Sequence, residues 1–466
     1  MIPVLRNISF TVASNLICLV VSTVITFILP KSISVENYGL FQLYFFYINY
    51  TGFLHFGWAD GLFLRYGGAY YESLNKQIIG SQYKIYCLFE ILFSILFCIC
   101  VFFYSGDGNK KEVFFLIGVS IAFNLPKTFL QYLLQATNRI KEYASLITLE
   151  RVVYGLFIIA VVTAKKDSFA WAISADLLGK MIALIYALYQ CRGILIAKTI
   201  LCKIVYQDIW ENIKVGSKLM LANIASLLII GIIRWSIERQ WDVSVFGKIS
   251  LALSISNLMM VFIRAVSMVM LPTLRRIDSE KYSSIYNDIK VGLLVPMFGM
   301  LLIYYPLNTF LIYWLPDYAD CLKYMAVLFP LCIFEGKSSM LVETYLKTMR
   351  LEKKLLFSNI LTLVFSVLIT IITVFYLENL SLAVFGILVI IAFRTSMGEF
   401  FLSNKLNINF GKNIFLELGL IATFVVSTWL VSGLKGFLSY FSVYTLFAFA
   451  NRIKLKNAIR KIQKQH

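Results

Sequence analysis

The chain has 466 residues, 59% hydrophobic and 15% charged, whereas an average soluble domain is about 25% charged. That balance excludes a soluble globular protein of this size. The formal charge of +18 does not imply nucleic acid, because the basic residues sit in short loops between apolar stretches rather than on one clustered face.

Crossing a hydrocarbon core of roughly 30 Å takes about 20 helical residues. Fourteen stretches approach that length: 8–29, 39–57, 83–104, 113–135, 144–164, 169–190, 216–236, 246–271, 291–315, 321–346, 356–377, 382–403, 415–433 and 436–450, the last being short. The first is too long for the apolar part of a signal peptide, and no small-residue cleavage site follows it. The expected fold class is therefore an all-α integral membrane protein with about 14 transmembrane helices.

The loops alternate in basic content. One set carries Arg65, Lys76 and Lys84, then Arg139 and Lys141, then Arg192, Lys198, Lys203 and Lys214. It continues with Arg275, Arg276, Lys281 and Lys290, with Lys347, Arg350, Lys353 and Lys354, and with Lys405 and Lys412. The tail adds Arg452 to Lys464. The other set is short and poor in Lys and Arg. By the positive-inside rule both termini are expected in the cytoplasm.

Little in the chain suggests catalysis. The eight cysteines are scattered without zinc or CxxC spacing, and the histidines are His55 and His466. Gly336-Lys337-Ser338 resembles the end of a phosphate-binding loop, but Leu331 stands where the first glycine of that motif belongs. No outer loop is large enough for the catalytic residues of a glycan-assembly enzyme. A non-enzyme with no cofactor and no bound metal is expected.

Compared with itself at an offset of 208 residues, the chain aligns Asn15 with Asn223, Tyr38-Gly39 with Phe246-Gly247, and Asn49 with Asn257. Six spans lie within the offset, so the copies share one orientation. Parallel repeats of this kind occur in transporters, with the substrate site between the halves. The expected organisation is a six-helix lobe at 1–200, a second at 205–410, and two extra helices with a basic tail at 411–466.

Several short motifs carry a family resemblance. They are Tyr38-Gly39, Phe56-Gly57-Trp58-Ala59-Asp60-Gly61 and Arg65-Tyr66-Gly67 in the first lobe, followed by Leu134-Gln135-Ala136-Thr137-Asn138-Arg139. Phe246-Gly247 and Ser267 to Pro272 continue it in the second lobe. With these the chain resembles the Wzx-type flippases of undecaprenyl-diphosphate-linked oligosaccharides, within the multidrug/oligosaccharidyl-lipid/polysaccharide exporter superfamily. Beyond about residue 350 the resemblance is one of hydropathy. It implies alternating-access translocation of a lipid-linked oligosaccharide in the bacterial inner membrane, for O-antigen, lipopolysaccharide or related surface polysaccharide. It also implies membrane lipids, a coupling H+ or Na+, and polysaccharide polymerase or assembly proteins as partners. The Asp60/Arg65 end of the second span is the most suggestive local feature.

Ionisable residues inside the membrane cost about 2.5–3.5 kcal/mol each on insertion scales and usually face a cavity or a partner. The cations of interest are Lys127, Lys180, Arg264, Lys337 and Arg394, with Arg65 from the motif above; the acids are Glu90, Asp176, Glu335, Glu343 and Glu399, with Asp60. A lipid diphosphate is an anion, and arginine presents a planar fork to phosphate oxygens, so the cations are candidate substrate ligands and the acids candidate coupling or charge-pairing groups. Local alternatives exist. Asp176 and Lys180 are four apart on one helix face and can neutralise each other; Lys127 lies where a long side chain can reach toward the interface; Glu150 and Arg151 read as an interfacial pair. A cation-coupled drug antiporter of the same fold is the alternative function, and it favours an acid-dominated ion site.

Overall fold

The computed structural model describes residues 2–274, 282–406, 410–431 and 433–453. The Arg264 side chain, the basic segment with Arg275, Arg276 and Lys281, and the tail beyond residue 453 lie outside the described residues. Among the described residues every regular element is helical.

The chain divides into two compact units, 1–224 and 225–466. The first contains α1 (Ile2–Ser32), α2 (Val35–Thr51), α3 (Trp58–Arg65), α4 (Lys76–Phe102), α5 (Gly108–Ala136), α6 (Ile140–Thr163), α7 (Phe169–Gln190) and the short α8 (Arg192–Leu195). It also takes the start of α9 (Lys203–Gln240), whose remainder counts with the second unit. The second unit continues with α10 (Val243–Leu274), α11 (Tyr282–Met300), α12 (Tyr304–Trp314), α13 (Ala319–Leu328), α14 (Leu331–Lys337) and α15 (Glu343–Thr348). It ends with α16 (Glu352–Thr370), α17 (Leu380–Leu406), α18 (Phe410–Val426) and α19 (Gly433–Ala450).

Among the described residues twelve helical spans are long and apolar enough to cross a membrane. The two remaining expected spans, 39–57 and 436–450, fall on α2, which is 17 residues long, and on α19. The protein is a multi-span membrane protein.

Polar side chains start the helices where the loops allow it. Asn75 Oδ1 accepts from the backbone N–H groups of Gln77 and Ile78 at the start of α4, and Asp107 Oδ1 accepts from Asn109 at the start of α5. Each bond satisfies a donor that the first helical turn leaves free.

The internal repeat is visible in the backbone. The fourth span of each half ends the same way: Asn138 and Arg350 adopt φ of 57° and 56°. In each case the next residue donates five positions back, Arg139 to Leu134 O at 2.9 Å and Leu351 to Leu346 O at 2.8 Å. That is the left-handed helix stop of a Schellman turn. The fifth spans also match, closing on Lys165 (φ 50°) and Glu378 (φ 47°). Packing follows suit. α6 lies on α7 as α16 lies on α17, α2 on α5 as α10 on α13, and α5 on α7 as α14 on α17.

One loop contact gives a pH prediction. Asp167, between α6 and α7, accepts from the Ser34 backbone N–H and from Asn37 Nδ2, both at 2.8 Å, at the start of α2. The Ser34 bond, with smaller help from the side chains of Asn37 and Ser34, holds the Asp167 carboxyl below its ordinary range. A depressed carboxylate contributes stability that is present above its unfolded pKa of about 3.9 and is lost as pH falls through its folded value. Asp167→Ala should therefore lower the detergent-solubilised melting temperature at neutral pH. The gap from wild type should close in acid; a gap unchanged at low pH would refute the assignment.

Candidate functional site

Two units carry two separate sets of buried charges. In the first, Asp176 and Lys180 of α7 bond at 2.6 Å, and Tyr44 of α2 donates to Asp176 Oδ2 at 2.8 Å. Lys180 also reaches the Tyr44 hydroxyl at 3.3 Å and Ser120 of α5 at 3.4 Å. Lys127 of α5 bonds Glu150 of α6 at 2.6 Å. Lys127 is therefore engaged sideways within the bundle, and the expected Glu150–Arg151 pairing gives way to this contact between helices. The lysines are nearly fully buried, where an unpaired charge would be costly; pairing with nearby acids offsets that cost.

Glu90 differs. It lies on α4 with no solvent exposure, and neither carboxylate oxygen has a hydrogen-bond partner.

The motif that carried the sequence resemblance forms a clamp. The chain turns at Phe56 (φ 50°) and Gly57 (φ 83°), then α3 presses against the first turns of α9. A Cβ on Gly61 would sit 1.8 Å from the Asn212 carbonyl oxygen, and one on Gly216 would sit 1.9 Å from that of Gly57. Only hydrogen fits at either place. Arg65 locks the crossing: its guanidinium bonds Asp208 Oδ1 and Glu211 Oε2 at 2.7 Å each, and Asn212 Oδ1 at 2.7 Å. Tyr66 and Gln82 also donate to Asp208. Asp60 sits apart from these cations, 3.8 Å from His55 Nε2. The ring's Nδ1 accepts from the Gly57 backbone N–H at 3.0 Å.

In the second unit α14 and α17 hold two networks. Arg394 of α17 reaches Glu335 Oε1 at 3.4 Å, Glu343 Oε1 at 3.2 Å, Asn359 Oδ1 at 3.2 Å and Ser226 Oγ at 3.2 Å. Glu335 and Glu343 are eight residues apart, which an unbroken α-helix at about 100° per residue would place about 80° apart around the axis. The intervening segment Ser338–Val342 is a π turn, in which Thr344 Oγ1 donates back to Ser339 O at 2.9 Å. The wider turn brings both carboxylates to one guanidinium, and π turns concentrate at functional sites. Lys347 caps the set at 3.0 Å from Glu343.

The second network is a buried cage. Lys337 bonds both Glu399 and Glu417, and Lys290 bonds Glu399 and, at 2.8 Å, Glu417. Tyr286 donates to Glu399 at 3.0 Å. The four charges come from α11, α14, α17 and α18. Sequence reasoning singled out Lys337 and Glu399 but not their partners. Lys290 reads as one of the basic residues just before a span; for Glu417 the available signal was a lone acid three residues into the apolar stretch 415–433. A cavity of about 340 Å³ beside Tyr304, Asn308 and Phe437 is lined by none of these charges.

No known family profile matches the sequence, and no curated protein matches it. Solved structures do. The chain superimposes on the lipid II flippase MurJ in an inward closed conformation with a TM-score of 0.67 at 13% identity, covering 96% of this chain and 99% of that one. An inward-facing multidrug resistance transporter of the MATE family gives 0.59 at 13% identity over 84% of this chain and 98% of its own. A MATE structure in complex with MaD3S gives 0.53 at 14% identity over 86% and 96%. The chain shares the fold of these flippase and multidrug-transporter structures.

Proposed function

We propose that the protein is a flippase that moves an undecaprenyl-diphosphate-linked oligosaccharide across the bacterial inner membrane for surface polysaccharide synthesis. It works by alternating access of lobes 1–200 and 205–410, with 411–466 as an accessory pair of helices and both termini in the cytoplasm. An H+ or Na+ gradient drives it. The observation that carries this reading is the extent of the structural likeness: it runs through almost the whole of a lipid II flippase and 96% of this chain, against 84% for the multidrug transporter.

Within that reading Arg394 is the residue assigned to the diphosphate. Its carboxylate bonds are long, at 3.2 and 3.4 Å, and the Glu335 and Glu343 side chains are 27% and 22% exposed. A bidentate phosphate can replace such partners. Lys127, Lys180, Lys337 and Arg65 are held by shorter contacts with acids, and they act on substrate only by exchanging those acids for it. Arg264 keeps its place as a second candidate cation on α10. Asp176, Glu335, Glu343 and Glu399 serve charge pairing, with Asp60 and Glu90 left for coupling. The second reading, a cation-coupled drug antiporter, draws on this same pairing, since the named cations of described side chains all have acidic partners.

Arg394→Lys keeps the charge but loses the fork. Losing charge-assisted hydrogen bonds worth about 1.5–3 kcal/mol corresponds to roughly ten- to a hundredfold slower export. The assay is translocation of an undecaprenyl-diphosphate-linked oligosaccharide in proteoliposomes at matched protein abundance, with Arg394→Ala as the stronger lesion. Wild-type export by Arg394→Ala would overturn the assignment, and transport of organic cations in place of the lipid would favour the antiporter.

A further inference from the structure

Among the described acids of the candidate site, all but Glu90 have a cationic or imidazole neighbour. Glu90 lies 14 residues from the start of α4 and 12 from its end, which at about 1.5 Å per residue is close to mid-span. The helix turns Leu88, Leu92, Leu96 and Ile99 outward, all 48% exposed or more, and buries Tyr83, Tyr86, Glu90 and Ser94 on the opposite side. Glu90 therefore faces the bundle interior rather than lipid. Both its oxygens, and the Tyr86 hydroxyl one turn earlier, are buried and make no hydrogen bond of good geometry; the neutral Tyr86 hydroxyl is the group near enough to offer the carboxyl one.

The surroundings supply no counter-charge. On its own helix the titratable neighbours are Tyr83, Tyr86 and Cys87, and the interaction resolved for Glu90 is with Tyr86. Trp58 of α3 meets the Tyr86 ring edge-on and Phe129 of α5 lies tilted against it, with centroids 5.2 and 5.0 Å away. α4 packs on α5 and α8. Of the ionisable groups on α5, Lys110, Lys111 and Glu112 stand at its first turn, Lys127 is bonded to Glu150 and the Tyr132 ring lies on Phe63; on α8, Arg192 lies over Tyr189. Ser94, one turn further on, donates to Gly118 O at 2.7 Å and is not available.

A bare carboxylate in such a place costs several kcal/mol, and the ordinary escape is to neutralise by taking a proton. A hard metal cation gathers many oxygens at once. Among the described residues no group of three metal-binding side chains forms, and one carboxyl beside one phenol does not make such a shell.

We propose that Glu90 is a proton-binding site, at which the chain takes up and releases one proton during its cycle. Uptake forms an O–H bond on one carboxylate oxygen with a proton from water; release returns it, and no electrons move. This rests on the ion-coupled reading above and names H+ as the ion.

The test is infrared difference spectroscopy on the full chain in lipid vesicles without substrate, wild type minus Glu90→Gln. The amide is isosteric with the protonated acid, so the variant should accumulate normally. Glu90→Asp, which keeps an acid on a shorter stem, is the second subtraction. The expected result is a protonated carboxyl C=O band at neutral pH that converts to carboxylate bands on alkalinisation. Carboxylate bands alone at neutral and acid pH, or a protonated band that never converts while the protein stays folded, would overturn the proposal. Because no substrate is present, the spectrum is independent of what the chain moves. A titrating band together with proton-independent export would leave Glu90 a titratable carboxyl but overturn its part in the cycle, without touching what the chain moves.

Discussion

Lys337→Met should destabilise the protein by about 3–5 kcal/mol, the usual cost of removing one partner from a buried ion pair. Lys337 is 1% exposed and bonds Glu399 and Glu417 together. Without it two buried carboxylates face the single ammonium of Lys290. Methionine fills much the same volume, so the loss reports charge rather than packing. Adding Glu417→Gln removes the surplus negative charge and leaves Lys290 paired with Glu399, so the double variant should recover much of the loss. That non-additivity is the signature of one network. The measurement is the melting temperature in detergent with membrane abundance alongside. Strictly additive losses would show that the four charges do not act as a unit. Because Glu417 comes from α18, the cage also ties that accessory helix to α11, α14 and α17.

The spans were legible because a membrane imposes a length and an apolarity that can be read residue by residue. α4, α16 and α17 fall where hydropathy places them. The parallel repeat was faintly legible in Tyr38-Gly39 and Phe246-Gly247, but its clearest marks are conformational. Asn138 and Arg350 share a left-handed stop although the residue types differ, so comparison of letters passes over them. Charged residues were legible as individuals and not as partners. Lys337 and Glu417 are 80 positions apart, and their meeting depends on how four helices pack. Lys290 was hidden for another reason: a basic residue at the edge of a span has a sufficient explanation in topology. The expectation that Arg65 binds substrate arose from its motif; both terminal nitrogens of its guanidinium bond α9. What the letters did not show is that the motif also builds a helix crossing.

That crossing supports the remaining large prediction. Gly216→Leu and Gly61→Leu should each abolish accumulation of folded protein. In both cases the added Cβ falls on a backbone carbonyl oxygen of the facing helix, at 1.9 Å for Gly216 and 1.8 Å for Gly61. Neither backbone is the flexible end of a side chain, so relief requires α3 and α9 to separate. Separation in turn breaks the bonds of Arg65 to Asp208, Glu211 and Asn212, two of them between opposite charges. The bonds to Asp208 and Asn212 contribute roughly 1.5–3 kcal/mol each, the one to the exposed Glu211 about 0.2–1 kcal/mol, and overpacking adds typically 1–3 kcal/mol. Together these approach the whole stability of many proteins, about 5–15 kcal/mol. Gly52→Ala is the internal control: its φ is −58° and nothing lies within 4 Å of the added methyl, so it should match wild type or gain slightly from reduced unfolded-chain freedom. Abundance in purified membranes and monodispersity after extraction report the outcome. Normal levels of Gly216→Leu would mean that α3 and α9 are not in contact through their backbones, and the role of Arg65 as the lock on that crossing would fall with it.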